Sequence, residues 1–349
     1  MKKGLAPFIV LLFAPVWLSA QPTGKIVQQA KIDGRDFFTD DRPLEVLLST
    51  DLRSLASSRK NPVYQNAALT CRFPDSSVIH EQIRVKRRGK FRNENCYLAS
   101  LTLDFKNLTS PLLAPLKKLK WVGGCDKGAN QEQLLLKEYL IYRIYNLLTP
   151  MSFRVRLLKA TYQDNRVKVK TYTQYAFLLE DMDALAKRNH CRQKEVKRFH
   201  DRSTNRKQMT LVAIFQYMIG NTDWAVSVYH NMKLMVPLQD TLASPYPVPY
   251  DFDYTGFVDA AYAVPAETLG IRSVRERVYR GFHRHLPEIE AAAALFVQNE
   301  ADIISLINNF GLLTPRSKKQ VIYFLNDFFA IIKNKRDLKR IFVDNARTE

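Results

Sequence analysis

The chain has 349 residues, 46% of them hydrophobic and 25% charged, and its 53 Lys and Arg against 34 Asp and Glu give a net charge of +19. This is globular composition without repeats or low-complexity tracts, with enough material for two lobes or domains. The charge speaks of anionic partners and not of fold; no RNA-recognition, zinc-finger or homeodomain signature accompanies it, so nucleic acid has only a charge argument.

Lys2 and Lys3 precede an apolar stretch from Leu5 to Leu18, and Ser19-Ala20 offers a small-residue cut before Gln21. That pattern predicts a signal peptide over 1–20 and an exported protein, periplasmic or secreted. Pro7, Pro15 and the shortness of the run argue against a permanent span, and no later stretch is apolar enough to cross a bilayer. No transmembrane span is expected after signal cleavage. Four cysteines, Cys71, Cys96, Cys125 and Cys191, fit an oxidising compartment and permit two disulfides in three connectivities. Cys96–Cys125 is favoured, because both lie in adjacent strand–loop segments. Without a C-x-x-C spacing, a zinc site is not expected.

Residues 21–43 form a polar lead-in. Short β-like runs dominate 44–122: "LEVLLSTD", "HEQIRVKRRGKF", "SLTLDFKN" and "LKKLKWVGG". In the second, Ile83 and Val85 alternate with Arg84 and Lys86, the period of a half-buried strand. Residues 131–148 place Leu136, Tyr139, Leu140, Arg143 and Leu147 at spacings of three and four, and Pro150 ends that helix. Two strands follow, "FRVRLLKATY" and "VKVKTYTQYAFLLE", then a short helix capped by Asp181. A basic loop covers 187–207. Residues 206–219 read as an apolar helix, two short strands lie around "NMKLMV" and "YPVPYDF", and the chain from 272 onward reads as nearly all helical. A β-rich half with one long helix (44–180) thus gives way to a helix-rich half (181–349). This is a two-lobe α+β layout with its hinge near Glu180.

The second half orders its polar residues as helix, "GNTDW…HN" loop, hairpin, then "PYDFDYTG" at 249–256. Phosphoryl transfer asks for that inventory. Hard oxygen ligands hold magnesium against phosphates, and one carboxylate orients the attacking hydroxyl or takes its proton. The cation on the phosphates would be Lys106, Lys118 or Lys120, with Glu138 on the long helix as its partner. Arg88-Gly89-Lys90 is a candidate loop over the phosphates. Simpler readings exist for each part. Gly220-Asn221 alone is a helix stop, and Arg275, Arg277 and Arg280 read as a solvated helix face. No G-x-S-x-G elbow, H-E-x-x-H or Walker A sequence competes.

"RVKRRGKF", "YAFLLEDMDALAKR", "GNTDW…YHN" and "VPYDFDYTG" together resemble the CotH family of atypical, protein-kinase-like phosphotransferases and, more distantly, HipA-type kinases. The resemblance covers roughly residues 80–260. It implies a two-lobed protein-kinase-like fold, Mg2+ and ATP as cofactors, and an unknown protein or envelope acceptor. By residue it implies Asp223 as the catalytic aspartate, Asn231 and Asp251 as metal ligands with Asp253 as the alternate, and Glu180 at the lobe junction. The spacing departs from the usual kinase pattern. Asn231 stands eight residues after Asp223 where five is usual, and Trp224 replaces a common Arg. The alternative expectation is a non-catalytic envelope module that holds an anionic glycan, lipid or protein on its basic surface.

Overall fold

Alternation of apolar side chains builds the first half of the fold. The computed structural model describes Met1 and residues 36–348, apart from 90–93, 95, 97–99, 107, 109, 126–127, 196–198 and 241. The expected signal peptide, the first part of the lead-in and Lys90 therefore lie outside the described residues. Strands β1 (Leu44–Thr50), β2 (Gln65–Arg72), β3 (Val78–Arg87), β4 (Leu101–Asp104) and β5 (Lys118–Gly123) are followed by helix α2 (Ala129–Leu148), then β6 (Val155–Asp164) and β7 (Tyr172–Leu179); a short helix α1 (Leu52–Ser57) follows β1. Every second residue points into one interior, including Leu44, Val46 and Leu48 of β1, Leu69 of β2, Val85 of β3 and Trp121 of β5.

The seven strands close into a barrel in the order β1-β2-β3-β4-β5-β7-β6. β6 returns parallel to β1, with Leu44 opposite Leu158, while the other pairs are antiparallel. This overturns the expected two-lobed kinase-like fold with a β-sheet N-lobe. Period-two patterning says which face of a strand is buried, not whether the sheet leaves an edge. Here the β1–β6 pairing, made across more than a hundred residues of chain, removes the edge.

β6 is buried on both sides over 155–158, and β7 over 176–179. Leu158, Ala160 and Tyr162 face the barrel interior. Leu157 and Phe177 join Leu136, Tyr139 and Leu140 of α2 in a second core shared with the helical half. Each such side chain contributes roughly 2 kcal/mol by leaving water. Residues 31–349 form one compact unit.

The rest of the chain comprises α3 (Met182–Arg188), β8 (Cys191–Gln193), α4 (Arg206–Met218), β9 (Met232–Pro237), β10 (Tyr246–Pro249), α5 (Leu286–Gln298), α6 (Glu300–Asn309), α7 (Pro315–Lys333) and α8 (Lys335–Lys339). β8 lies inside the expected basic loop and pairs with β9, giving a small antiparallel sheet ordered β10-β9-β8. The stretch from 272 to 285, expected as helix, holds no helix; α5 begins at Leu286, where His285 and Glu288 form its capping box. Cys96 and Cys125 form a disulfide, while Cys71 and Cys191 are buried thiols. Burial pushes the Cys71 thiol up to about 12, which makes it inert. Among the described residues, no helix is long and apolar enough to cross a membrane.

Candidate functional site

The loop after α4 owes its shape to one glycine and one buried amide. α4 starts at Asn205, whose side chain accepts from the backbone N–H of Gln208, and its apolar residues are buried throughout. Gly220, at φ 64°, ends it in the left-handed region that favours glycine. The N–H of Gly256 then donates to the Gly220 carbonyl at 3.1 Å, tying this loop to the 251–258 segment. An added Cβ at Gly256 would sit 2.4 Å from the Val274 carbonyl, so no larger residue fits that approach. Asn221 is buried. Its amide donates to Gln216 Oε1 at 2.9 Å, and its Oδ1 accepts from the N–H of Asp223 at 2.9 Å.

Asp223 is thereby presented at a fixed angle, with its carboxylate partly exposed. His230 Nε2 lies 2.6 Å from its Oδ1, and the Asn231 amide donates to its Oδ2 at 3.0 Å and to its backbone carbonyl at 2.8 Å. The bridge between Ala225 and His230 folds the loop so that residues seven and eight positions apart meet. Asn231 then leads into β9, and its carbonyl accepts from the N–H of Tyr250, the neighbour of Asp251. Asp251 follows β10 at φ 65°, a strained conformation for a residue with a Cβ. Its N–H donates to the Tyr142 hydroxyl of α2 at 2.8 Å, which pins this strained residue to the long helix.

Three cations face this corner. The Lys120 Nζ of β5 stands 4.8 Å from the Tyr250 ring centre. Burial, with the nearby charges of Arg88 and Lys233, pushes its pKa down to about 8, against the opposing pull of Asp251 and Asp181. Lys120 is thus the lysine that the fold brings to Asp251. Lys106 and Lys118 are exposed at the end of the β4–β5 pair where Asp104 stands opposite Lys118. Arg88 lies just past β3, its N–H donating to Ser100 at 2.8 Å. Asp253 accepts from the Tyr262 hydroxyl at 3.1 Å, and burial plus the charges of Asp223 and Asp253 raise the Tyr254 pKa. Glu138 is buried on α2 and lines a small pocket with Gly123, Cys125 and Asp253. Burial, with the charges of Glu138 and Asp251, holds the Tyr142 hydroxyl well above its ordinary pKa.

Glu180 serves a different purpose. Its buried carboxylate accepts from the backbone N–H of Arg154 at 3.0 Å, from Arg154 Nη2 at 2.8 Å, and from Arg188 Nε and Nη2 at 3.0 Å each. It knots β6, β7 and α3 together. Glu180→Gln is expected to lower unfolding free energy by about 2 kcal/mol in urea melts, the loss of charge-assisted bonds to two guanidinium groups.

Of the arginines read as a solvated helix face, Arg275 is partly exposed and pairs with Asp259, whereas Arg277 and Arg280 bond backbone carbonyls. Arg277 donates to the carbonyls of Met218 and Phe324, with its guanidinium 3.7 Å from the Phe324 ring centre. Arg280 donates to the carbonyls of Thr222 and Trp224, on either side of Asp223. Arg280 braces the Asp223 loop, and Arg277 ties the end of α4 to α7. Spacing alone cannot separate a solvated arginine from one that satisfies buried carbonyls. Lys233 was missed as well. A lone lysine in the apolar run "NMKLMV" was its signal.

Among the described residues, no group of three or more His, Cys, Asp or Glu side chains could hold a metal ion. Mg2+ does not need one, because it is commonly held by one or two carboxylates together with substrate phosphates and water. Asp251, Asn231 and the alternate Asp253 are oxygen donors of that kind. No protein-family model matches the chain, and no curated protein shows significant similarity to it.

Proposed function

We propose that the protein is a magnesium-dependent phosphotransferase acting from ATP on a hydroxyl of an envelope or secreted acceptor. The observation that carries the reading is the pairing of Asn231 with Asp223, the backbone bond from Tyr250, the neighbour of Asp251, to Asn231, and a half-buried lysine, Lys120, in the field of Asp251. Asp223 would take the proton of the attacking hydroxyl as its oxygen bonds to the γ-phosphorus and the bond to the leaving diphosphate breaks. His230 and Asn231 hold that carboxylate in one orientation. Lys120, Arg88 and Lys233 would neutralise the phosphates. Asp251 and Asn231 would hold Mg2+, which, when bound, supplies charge neutralisation between the phosphates.

The CotH resemblance supports this chemistry through its motifs alone, since the closed barrel is not the fold it implied. ATP is scarce outside the cytoplasm, so an exported enzyme would require a local nucleotide supply. The second reading, a non-catalytic envelope module for an anionic glycan, lipid or protein, draws on the net charge of +19. Calorimetry of ATP binding with and without magnesium separates the two. Wild type is expected to bind with a magnesium-dependent affinity that Asp251→Ala lowers at least tenfold. Equal binding by both proteins removes Asp251 from the site and favours the module.

A further inference from the structure

A second cavity, of about 610 Å3, opens between the barrel rim and the α3–β8 segment, with more apolar than polar lining. Its size is that of a small-molecule pocket. Leu116 and Leu119 form apolar wall on the barrel side, and Leu238, half exposed, stands across from them. The N–H of Leu238 donates to the His190 carbonyl at 2.9 Å, which fixes that wall to the turn before β8.

The charges around the cavity do not balance. Arg154 and Arg188 share one carboxylate, that of Glu180. Asp181, which caps α3, supplies a second negative charge, and Lys187 adds a third positive one. Among the described residues at the cavity, three cations, of which Lys187 is exposed, stand against two carboxylates, which leaves one positive charge beside apolar wall, with His190 at the rim. A monoanionic head with an apolar tail fits that pattern. A phosphate monoester, which carries nearly two charges at neutral pH, overfills it.

We propose that this cavity binds a single-chain carboxylate amphiphile of the fatty-acid class, its tail against Leu116, Leu119 and Leu238 and its head facing Lys187 in the field of Arg154 and Arg188. The site is independent of the phosphotransferase reading. Asp181 lies near both, since its charge also reaches Lys120.

The test is a fluorescence titration of the full chain with dansylaminoundecanoic acid, competed by undecanoic acid, its methyl ester and undecyl phosphate. One saturable site per chain is expected, displaced by the acid more tightly than by the ester or the phosphate. Lys187→Glu and Leu238→Asp, both at exposed positions, are each expected to weaken binding about tenfold with unchanged thermal melts, through loss of a charged contact and of an apolar wall respectively. Absence of saturable binding, displacement by the ester or the phosphate as tight as by the acid, or parental affinity in both variants would overturn the proposal.

Discussion

Asp223→Asn is expected to slow single-turnover phosphate release from magnesium-ATP about a thousandfold, within the usual range for loss of a general base, while leaving ATP affinity nearly unchanged. The split between rate and affinity follows from geometry. Asp223 is held by His230 and Asn231 from its own loop, and Asn221 fixes its backbone. The cations Lys120, Arg88 and Lys233 belong to β5, the residue after β3, and β9, so phosphate binding would not pass through Asp223. The isosteric amide keeps the shape of the side chain and removes its basicity. A parental rate for the variant would mean that Asp223 only shapes the loop. Lost affinity with the chemistry intact would make it a metal ligand.

Local periodicity carried much of the fold. The spacing of Leu136, Tyr139 and Leu140 gave α2, and alternation around Ile83 and Val85 gave β3. Barrel closure was not legible, because the β1–β6 pairing is a long-range register that no local pattern encodes. At the site, the short-range order "GNTDW…HN" placed Asp223 beside Asn231, since a single loop closes that distance. Lys120 was one of three candidate lysines along the β4–β5 segment, and only the fold distinguishes the half-buried one from the two in solvent. Glu180 shows the converse. A carboxylate at a strand–helix junction has the same letters whether it faces a ligand or two arginines. Its partner Arg154 stands just before the neighbouring strand, 26 residues away.

Strain gathers where the polar residues meet. Tyr229, Asn231 and Asp251 all have positive φ. Each is held there by a specific bond: the bridge of the 225–230 turn, the Asn231–Asp223 contact, and the Tyr142 hydroxyl on Asp251. Such conformations cost of order 1–3 kcal/mol each and persist when the surroundings over-determine them. The second core supplies that support, since Tyr142 is fully enclosed between Phe177 and Phe252.

Lys120→Met is expected to make the protein more stable and less able to bind phosphates. Burial and two neighbouring cations hold Lys120 near 8 instead of 10.5. A lysine depressed in the folded state opposes folding wherever the unfolded chain carries its proton. That penalty is fully present below about pH 8, on the order of 3 kcal/mol, and fades as pH rises towards the unfolded value of 10.5. Urea melts at neutral pH are therefore expected to favour Met by up to about 3 kcal/mol, with the gap closing at alkaline pH. Binding runs the other way. Wild-type affinity for magnesium-ATP is expected to fall as pH passes about 8 and Lys120 loses its charge, whereas Lys120→Met binds at least tenfold more weakly at neutral pH and shows no such step. A methionine variant that is less stable at neutral pH would mean that Lys120 is a paired structural cation. A variant that binds like its parent would place the phosphate site elsewhere.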